Sequence, residues 1–139
     1  MKLKLVINGA DVISEVRSLA KSYPNYIYGS EYSTCRYLNK EKMCGACIVG
    51  QALMRLGATG EDLFWLDRKL ADIAYDGSIY SLYNLSISSE SKEIPFDIRL
   101  SEVQAHWLAV VQDSQDLDFC WEKSVDWADT KWGELLESA

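Results

Sequence analysis

The sequence predicts a mainly α fold: a single compact domain over residues 1–139, with about five helices and a minor β-hairpin or extended portion. Three observations point there. Apolar residues recur at spacings of three and four in several separate stretches, the polar breaks between most of them are short, and 48% hydrophobic content over 139 residues can fill one core. No internal repeat is visible, and no linker is long enough to separate domains.

Residues 1–7 alternate, with Met1, Leu3, Leu5 and Ile7 on one side and Lys2 and Lys4 on the other, before Asn8-Gly9. This pattern predicts a short strand or extended arm. From Asp11, a residue type that caps helices well, Val12, Ile13, Val16, Leu19 and Ala20 repeat at helical spacing until Tyr23-Pro24 stops them, so a first helix is expected over 11–22. Tyr26-Ile27-Tyr28 and Thr34-Cys35-Arg36-Tyr37-Leu38, with Gly29-Ser30 between them, read as a small hairpin or ordered loop.

The densest apolar segment follows, from Cys44 to Gly57. Cys47, Ile48, Val49, Ala52, Leu53 and Leu56 share a broad helical face, and Gly57 stands where a helix commonly closes through a left-handed residue. A buried helix at the packing centre is the expectation. Thr59 and Asp62 form a near capping box ahead of Leu63, Leu66, Leu70, Ile73 and Ala74, which predicts a third helix to about Tyr75. Residues 78–96 are Ser-rich; the alternation from Asn84 to Ser88 reads equally as one strand or as part of a surface excursion over 78–96. After Pro95, Leu100, Val103, Trp107, Val110 and Val111 predict a fourth helix, broken by residues 113–118. A fifth carries Trp121, Val125, Ala128, Trp132 and Leu135.

Fourteen Lys and Arg against 21 Asp and Glu leave a formal charge of −7, which opposes non-specific binding to the phosphate backbone of nucleic acid. No apolar run resembles a signal peptide or approaches a membrane span, so no membrane association is expected and the chain reads as cytoplasmic. In that compartment Cys35, Cys44, Cys47 and Cys120 are expected as reduced thiols.

Cys44-Gly45-Ala46-Cys47 is the sharpest chemical signal. Opening a helix, it would set a sulfur near the positive helix terminus, as redox-active pairs require, but no βαβ pattern precedes it and no suitably placed proline follows. A zinc site would need Cys44 and Cys47 completed by Cys35 and Cys120, or by His106. Structural zinc sites usually join two close-spaced pairs, and only one exists here. His106 is the only histidine and falls on the flank of the fourth helix. The acidic runs at 113–118 and 126–129 lack the glycine and terminal glutamate of a calcium loop, and no phosphate loop or nucleophile elbow appears.

The aromatics carry the binding signal. Tyr26, Tyr28, Tyr32, Tyr37, Tyr80 and Tyr83 cluster in the two non-helical regions, with Arg36 beside Tyr37 as a partner for phosphate or carboxylate. Tyr, Trp and Arg suit recognition because they give large contact area at low entropic cost.

Five stretches carry a family resemblance: the first helix running into Tyr23-Pro24-Asn25-Tyr26-Ile27-Tyr28; Cys35-Arg36-Tyr37; Cys47-Ile48-Val49-Gly50-Gln51-Ala52-Leu53 with Arg55-Leu56-Gly57; Val103-Gln104 with Gln112-Asp113; and Trp121-Glu122-Lys123-Ser124-Val125 with Ala128. In these the chain resembles a family of small uncharacterised proteins of actinobacteria and their bacteriophages. The family pattern has one cysteine at the central helix, matching Cys47, while Cys44 and Gly45 depart from it. The resemblance therefore implies that no two-cysteine chemistry is obligatory. The family has no agreed activity. What it implies is a phage accessory setting in the host cytoplasm, and the leading expectation is a small non-enzymatic binding protein that captures or blocks a host component in an anti-defence or host-takeover role. That component is a host protein or a small nucleotide-like immune signal, and the second would need a homo-oligomer. No cofactor is expected. The alternatives are a thiol oxidoreductase or redox sensor at Cys44 and Cys47, and a small structural zinc domain.

Overall fold

In the computed structural model, residues 4–27, 37–39, 44, 45, 47–72, 79, 82–84 and 96–138 are described. The chain begins with β1 (Leu5–Asn8), which runs without a loop into α1 (Gly9–Ser22). Much later β4 (Phe96–Arg99) does the same, leading through Leu100 and Ser101 into α4 (Glu102–Asp116). The two strands pair in parallel, Leu5 opposite Phe96 and Asn8 opposite Arg99. Two strand-to-helix units thus start side by side and bring α1 alongside α4.

The junction explains Gly9. A β-carbon there would collide with the Gln104 side chain and stand 3.0 Å from Leu100 Cδ2. Gln104 is held in place by the capping box of α4. Its Oε1 accepts from the Ser101 N–H at 2.8 Å, and the Ser101 hydroxyl accepts from the Gln104 N–H at 3.1 Å. The start of one helix is therefore packed on the cap of the other.

Between the units lie β2 (Leu38–Asn39), paired antiparallel with β3 (Cys44–Gly45), then α2 (Ile48–Arg55) and α3 (Gly60–Asp72). The chain closes with α5 (Trp121–Ser138), which packs along α4 and also touches α1. The domain is mainly helical and compact, and among the described residues the strands form two two-stranded pairings. Among the described residues no helix is long and apolar enough to cross a membrane.

Helix ends follow local chemistry. Gly57 has φ +111°, and the Ala58 and Gly57 N–H groups donate to Leu53 and Met54 carbonyls, the paired bonds that close a helix through a left-handed residue. The Thr59–Asp62 capping box forms as expected, at 2.8 and 3.1 Å. Gly50 has a tertiary reason: its α-carbon packs so closely on Tyr37 that a β-carbon would collide with the Tyr37 carbonyl oxygen and stand 3.0 Å from its Cα.

Several expectations change. The first helix starts at Gly9, with Asn8 at its cap and Asp11 in its first turn, because the strand feeds it directly. The central helix begins at Ile48, and Cys44 sits in a strand rather than at a helix end. Residues 96–99 form a strand where a helix was expected, since Phe96 and Ile98 find buried positions beside β1. Within the expected excursion at 78–96, most of which lies outside the described residues, Ile79 and Leu82 are fully buried while Asn84 is exposed. The hairpin expected over 26–38 lies mostly outside the described residues, and the pairing that is described falls later, between 38–39 and 44–45.

The packing centre is shared. Five of eight α2 residues are buried, as expected, but α4 buries eight of fifteen, among them Gln112, Ser114 and Gln115. The expected break at residue 113 is absent because these polar side chains face inward. Gln112 Oε1 accepts from the Ile79 N–H at 2.8 Å while its Nε2 donates to the Tyr37 hydroxyl at 3.3 Å. Gln115 Oε1 accepts from the Ile48 N–H at 3.2 Å and from Trp121 Nε1 at 3.3 Å. Two buried amides thus fasten α2, α5 and the segments around Tyr37 and Ile79 to one helix.

Candidate partner-binding surface

The end of α1 and the turn between α4 and α5 build a single surface. Tyr23-Pro24 stops α1, since proline has no N–H and restricts the residue before it. The chain then turns, with the Tyr26 N–H donating to the Tyr23 carbonyl at 3.2 Å. The carbonyls of Pro24 and Tyr26 accept from the Glu122 and Trp121 N–H groups at 3.1 and 3.0 Å, so this turn satisfies the first donors of α5. Trp121 anchors the joint. Its buried ring packs on Tyr26 at 4.4 Å between centroids and meets Tyr23 edge-on at 6.5 Å.

On the other side, α4 ends through Asp118, whose φ of 68° makes it the one described non-glycine residue in the left-handed region. The Phe119 N–H donates to the Ser114 carbonyl and the Asp118 N–H to that of Gln115, both at 3.1 Å, which is the same closing pattern as at Gly57. This leaves Leu117, 72% exposed, and Phe119 facing solvent, while Tyr23, Tyr26 and Ile27 are exposed on the turn that meets the start of α5. These five account for most of the large exposed apolar side chains among the described residues, where the others are Val6, Trp65, Trp127 and Leu135. Five exposed apolar side chains on turns pinned by backbone hydrogen bonds are what most resembles a contact site among the described residues.

The sequence of the second turn is acidic, with Lys21 and Lys123 adjoining the two stretches. Asp113, Asp116, Asp118 and Glu122 lie in the 113–122 stretch, which contains no Lys or Arg, and 22–27 carries no charge at all. Burial pushes the Asp116 carboxyl up to about 6, the neighbouring Asp113 charge adds to the rise, and the bond from Gln115 opposes it.

The sequence-predicted residues divide. Tyr26 belongs to this surface. Tyr37 does not: it is fully buried, its N–H donates to Asp67 Oδ1 at 3.2 Å and its hydroxyl accepts from Gln112, so it is a core residue and cannot meet a partner. Tyr83 is partly buried against the core. Tyr28, Tyr32, Arg36 and Tyr80 lie outside the described residues, as does Cys35. Tyr23, Ile27, Leu117 and Phe119 were not anticipated. A signal for the last two exists, because both are apolar residues stranded in an acidic turn.

Cys47 caps α2, its fully buried sulfur accepting the Gly50 N–H at 3.4 Å. No thiol reagent or disulfide can approach it in this conformation. Cys120 is half-buried at the head of α5, and both cysteines are free. Among the described residues no three His, Cys, Asp or Glu side chains gather into a metal set. His106 stacks on Trp132 at 4.4 Å and 7°, with Nε2 3.7 Å from Glu102.

A second polar cluster ties α1, α4 and α5. Arg17 makes two bonds of 2.7 Å to Asp129 and lies 4.9 Å over the Trp107 ring, while Trp107 Nε1 donates to Asp129 Oδ1 at 2.9 Å. The Arg17 hydrogen bonds hold the Asp129 carboxyl below its ordinary range, Trp107 and the Arg17 charge contribute, and partial burial opposes them. Every group is matched, and the cluster reads as a brace between helices.

Compared with protein-family models, with curated proteins and with solved structures, the chain matches none.

Proposed function

We propose that this is a small non-enzymatic binding protein of the phage accessory type, which captures or blocks a host protein through the surface formed by Tyr23, Tyr26, Ile27, Leu117 and Phe119. The observation that carries the reading is that five large apolar side chains stay exposed on two turns, one bonded to the start of α5 and the other leading into it. Exposed aromatics on a fixed backbone lose little entropy on binding, so their burial is available for affinity. The resemblance to small actinobacterial and phage proteins supplies the host setting, with the cytoplasm as the place of action.

The test is affinity capture from actinobacterial host cells with three tagged proteins: wild type, Leu117→Asp/Phe119→Asp, and a control, Trp65→Ser, altered at an exposed residue of α3. The proposal expects a protein retained by wild type and control and lost with the double variant. The same proteins on all three, or none on any, would overturn it. Calorimetric heat with nucleotide signals that the double variant left unchanged would shift the function to small-ligand sequestration.

A further inference from the structure

We infer that the outer face of α5 pairs with the same face of a second copy of this chain, the two helices running antiparallel. The inference is independent of the surface at Tyr23 and Leu117. Trp121, Val125 and Ala128 turn one side of α5 into the core, and on the opposite side Lys123, Asp126, Trp127, Thr130, Lys131 and Glu134 are all exposed, Trp127 to 52%. At about 100° per residue these six fall within an arc of roughly 140°. Lys131 Nζ stands 5.0 Å from the centre of the Trp127 ring, so the lysine lies along the tryptophan rather than extending into water. At the margin of the face Glu122 is exposed, and Asp129 is bound by Arg17.

The order of the charges along the helix selects the occupant. A two-fold axis passing between residues 128 and 129 sets Lys123 opposite Glu134 of the second copy and Thr130 opposite its Trp127, each pair occurring twice. With a rise of about 1.5 Å per residue, the two Trp127 rings stand about 4.5 Å apart along the axis on the same side of the interface. Each is then within one residue's rise of the other copy's Lys131, so the contact made inside one chain is repeated between chains. The like pairs, Asp126 with Asp126 and Lys131 with Lys131, are offset by about 7.5 Å along the axis, where salt screens them. A parallel pairing would instead set Lys123 on Lys123 and Glu134 on Glu134. Nucleic acid or an anionic membrane calls for one sign of charge, and this face carries both. One helix face with one tryptophan is a small interface, so dimers are expected at about 100 μM protein rather than at nanomolar.

The test is sedimentation velocity on the full chain over a concentration series from about 5 to 500 μM, at low and at high salt. Wild type is expected to dimerise towards the top of the series, and severalfold more weakly at high salt. Lys123→Glu and Glu134→Lys, each alone, set like charges opposite one another and should leave the protein monomeric throughout. An equimolar mixture of those two variants, or both changes in one chain, restores opposite charges at each pair and should recover the wild-type association. Trp127→Ser should also abolish it. A wild type that is monomeric over the whole range, a dimer indifferent to these charges or to Trp127, or single variants that neither the mixture nor the double exchange rescues would overturn the inference. All three positions are exposed, and thermal melts check that the variants fold. None of these outcomes bears on host-protein capture, which the Leu117 and Phe119 variant reads separately.

Discussion

Replacing Gln115 with leucine tests the largest claim made about the interior. The Gln115 oxygen is the acceptor for two buried donors, the Ile48 N–H that begins α2 and the Trp121 indole that heads α5. Leucine has similar volume and accepts neither. Each stranded donor costs about 1–3 kcal/mol, and the gain from burying an apolar side chain in place of an amide offsets roughly 1 kcal/mol. The net loss should be about 1–5 kcal/mol, a large fraction of a typical domain stability and on the order of a 10 °C drop in Tm at the middle of that range. Urea unfolding followed by tryptophan fluorescence measures it, with an unchanged slope showing that the exposed surface is the same. Trp121→Phe removes one of the two donors in advance. In that background the Gln115→Leu loss should be smaller by about 1 kcal/mol or more. A loss under about 1 kcal/mol, or strict additivity of the two changes, would refute the bridging role.

Gly50→Ala should destabilise by about 2 kcal/mol in urea unfolding, although alanine is the better helix former by about 1 kcal/mol, because its β-carbon meets the backbone of Tyr37. Thr59→Ala removes the hydroxyl that accepts from the Asp62 N–H and should lower stability by about 1 kcal/mol without changing the fold by circular dichroism. The two shifted aspartates bend the pH profile in opposite directions. Asp116 titrates near 6 when folded against 3.8 ordinarily, so its contribution is fully present below 3.8 and is lost as pH rises towards 6. Asp116→Asn should therefore be more stable than wild type at pH 7, by up to about 1 kcal/mol after discounting for solvent, and equal to it in acid. Asp129 is shifted downwards, so its contribution is present above 3.8 and is lost as pH falls through the lowered value. Asp129→Asn should be less stable than wild type at neutral pH, with the gap closing in acid and shrinking in salt, as melts across pH and ionic strength would show.

How far each element was legible follows from where its information lies. α1, α2, α3 and α5 are written as apolar stripes, and the closures at Gly57 and Thr59 as single residue types, because those preferences are local. α4 was legible only as far as residue 112, short of its end at Asp116. Its last turn buries Gln112, Ser114 and Gln115, and polar side chains that pair inside the core do not mark a buried face in the sequence. Asp116 and Asp118, at the helix end and in the left-handed closing residue, looked like members of a solvated turn for the same reason.

The surface was half legible. Tyr26 was marked by its aromatic setting, but Tyr37 has the same setting and is a core residue, because Gln112 and Asp67 supply partners from 75 and 30 residues away. Leu117 and Phe119 looked like incidental members of an acidic break. They join the other exposed apolar residues only when the Pro24 and Tyr26 carbonyls cap α5 and bring the end of α1 to Trp121 and Glu122, a few residues along the chain.

By itself the sequence determined the helical class, the amphipathic stripes, the Gly57 closure, the Thr59–Asp62 capping box and the net acidity, all of which depend on composition or on neighbours within a turn or two. Only the tertiary structure decided that 96–99 is a strand beside β1, that Cys47 and not Cys44 caps the central helix, and which aromatics face solvent. Those outcomes depend on pairing and burial between residues tens of positions apart, and a side chain's own chemistry does not say which partner will reach it.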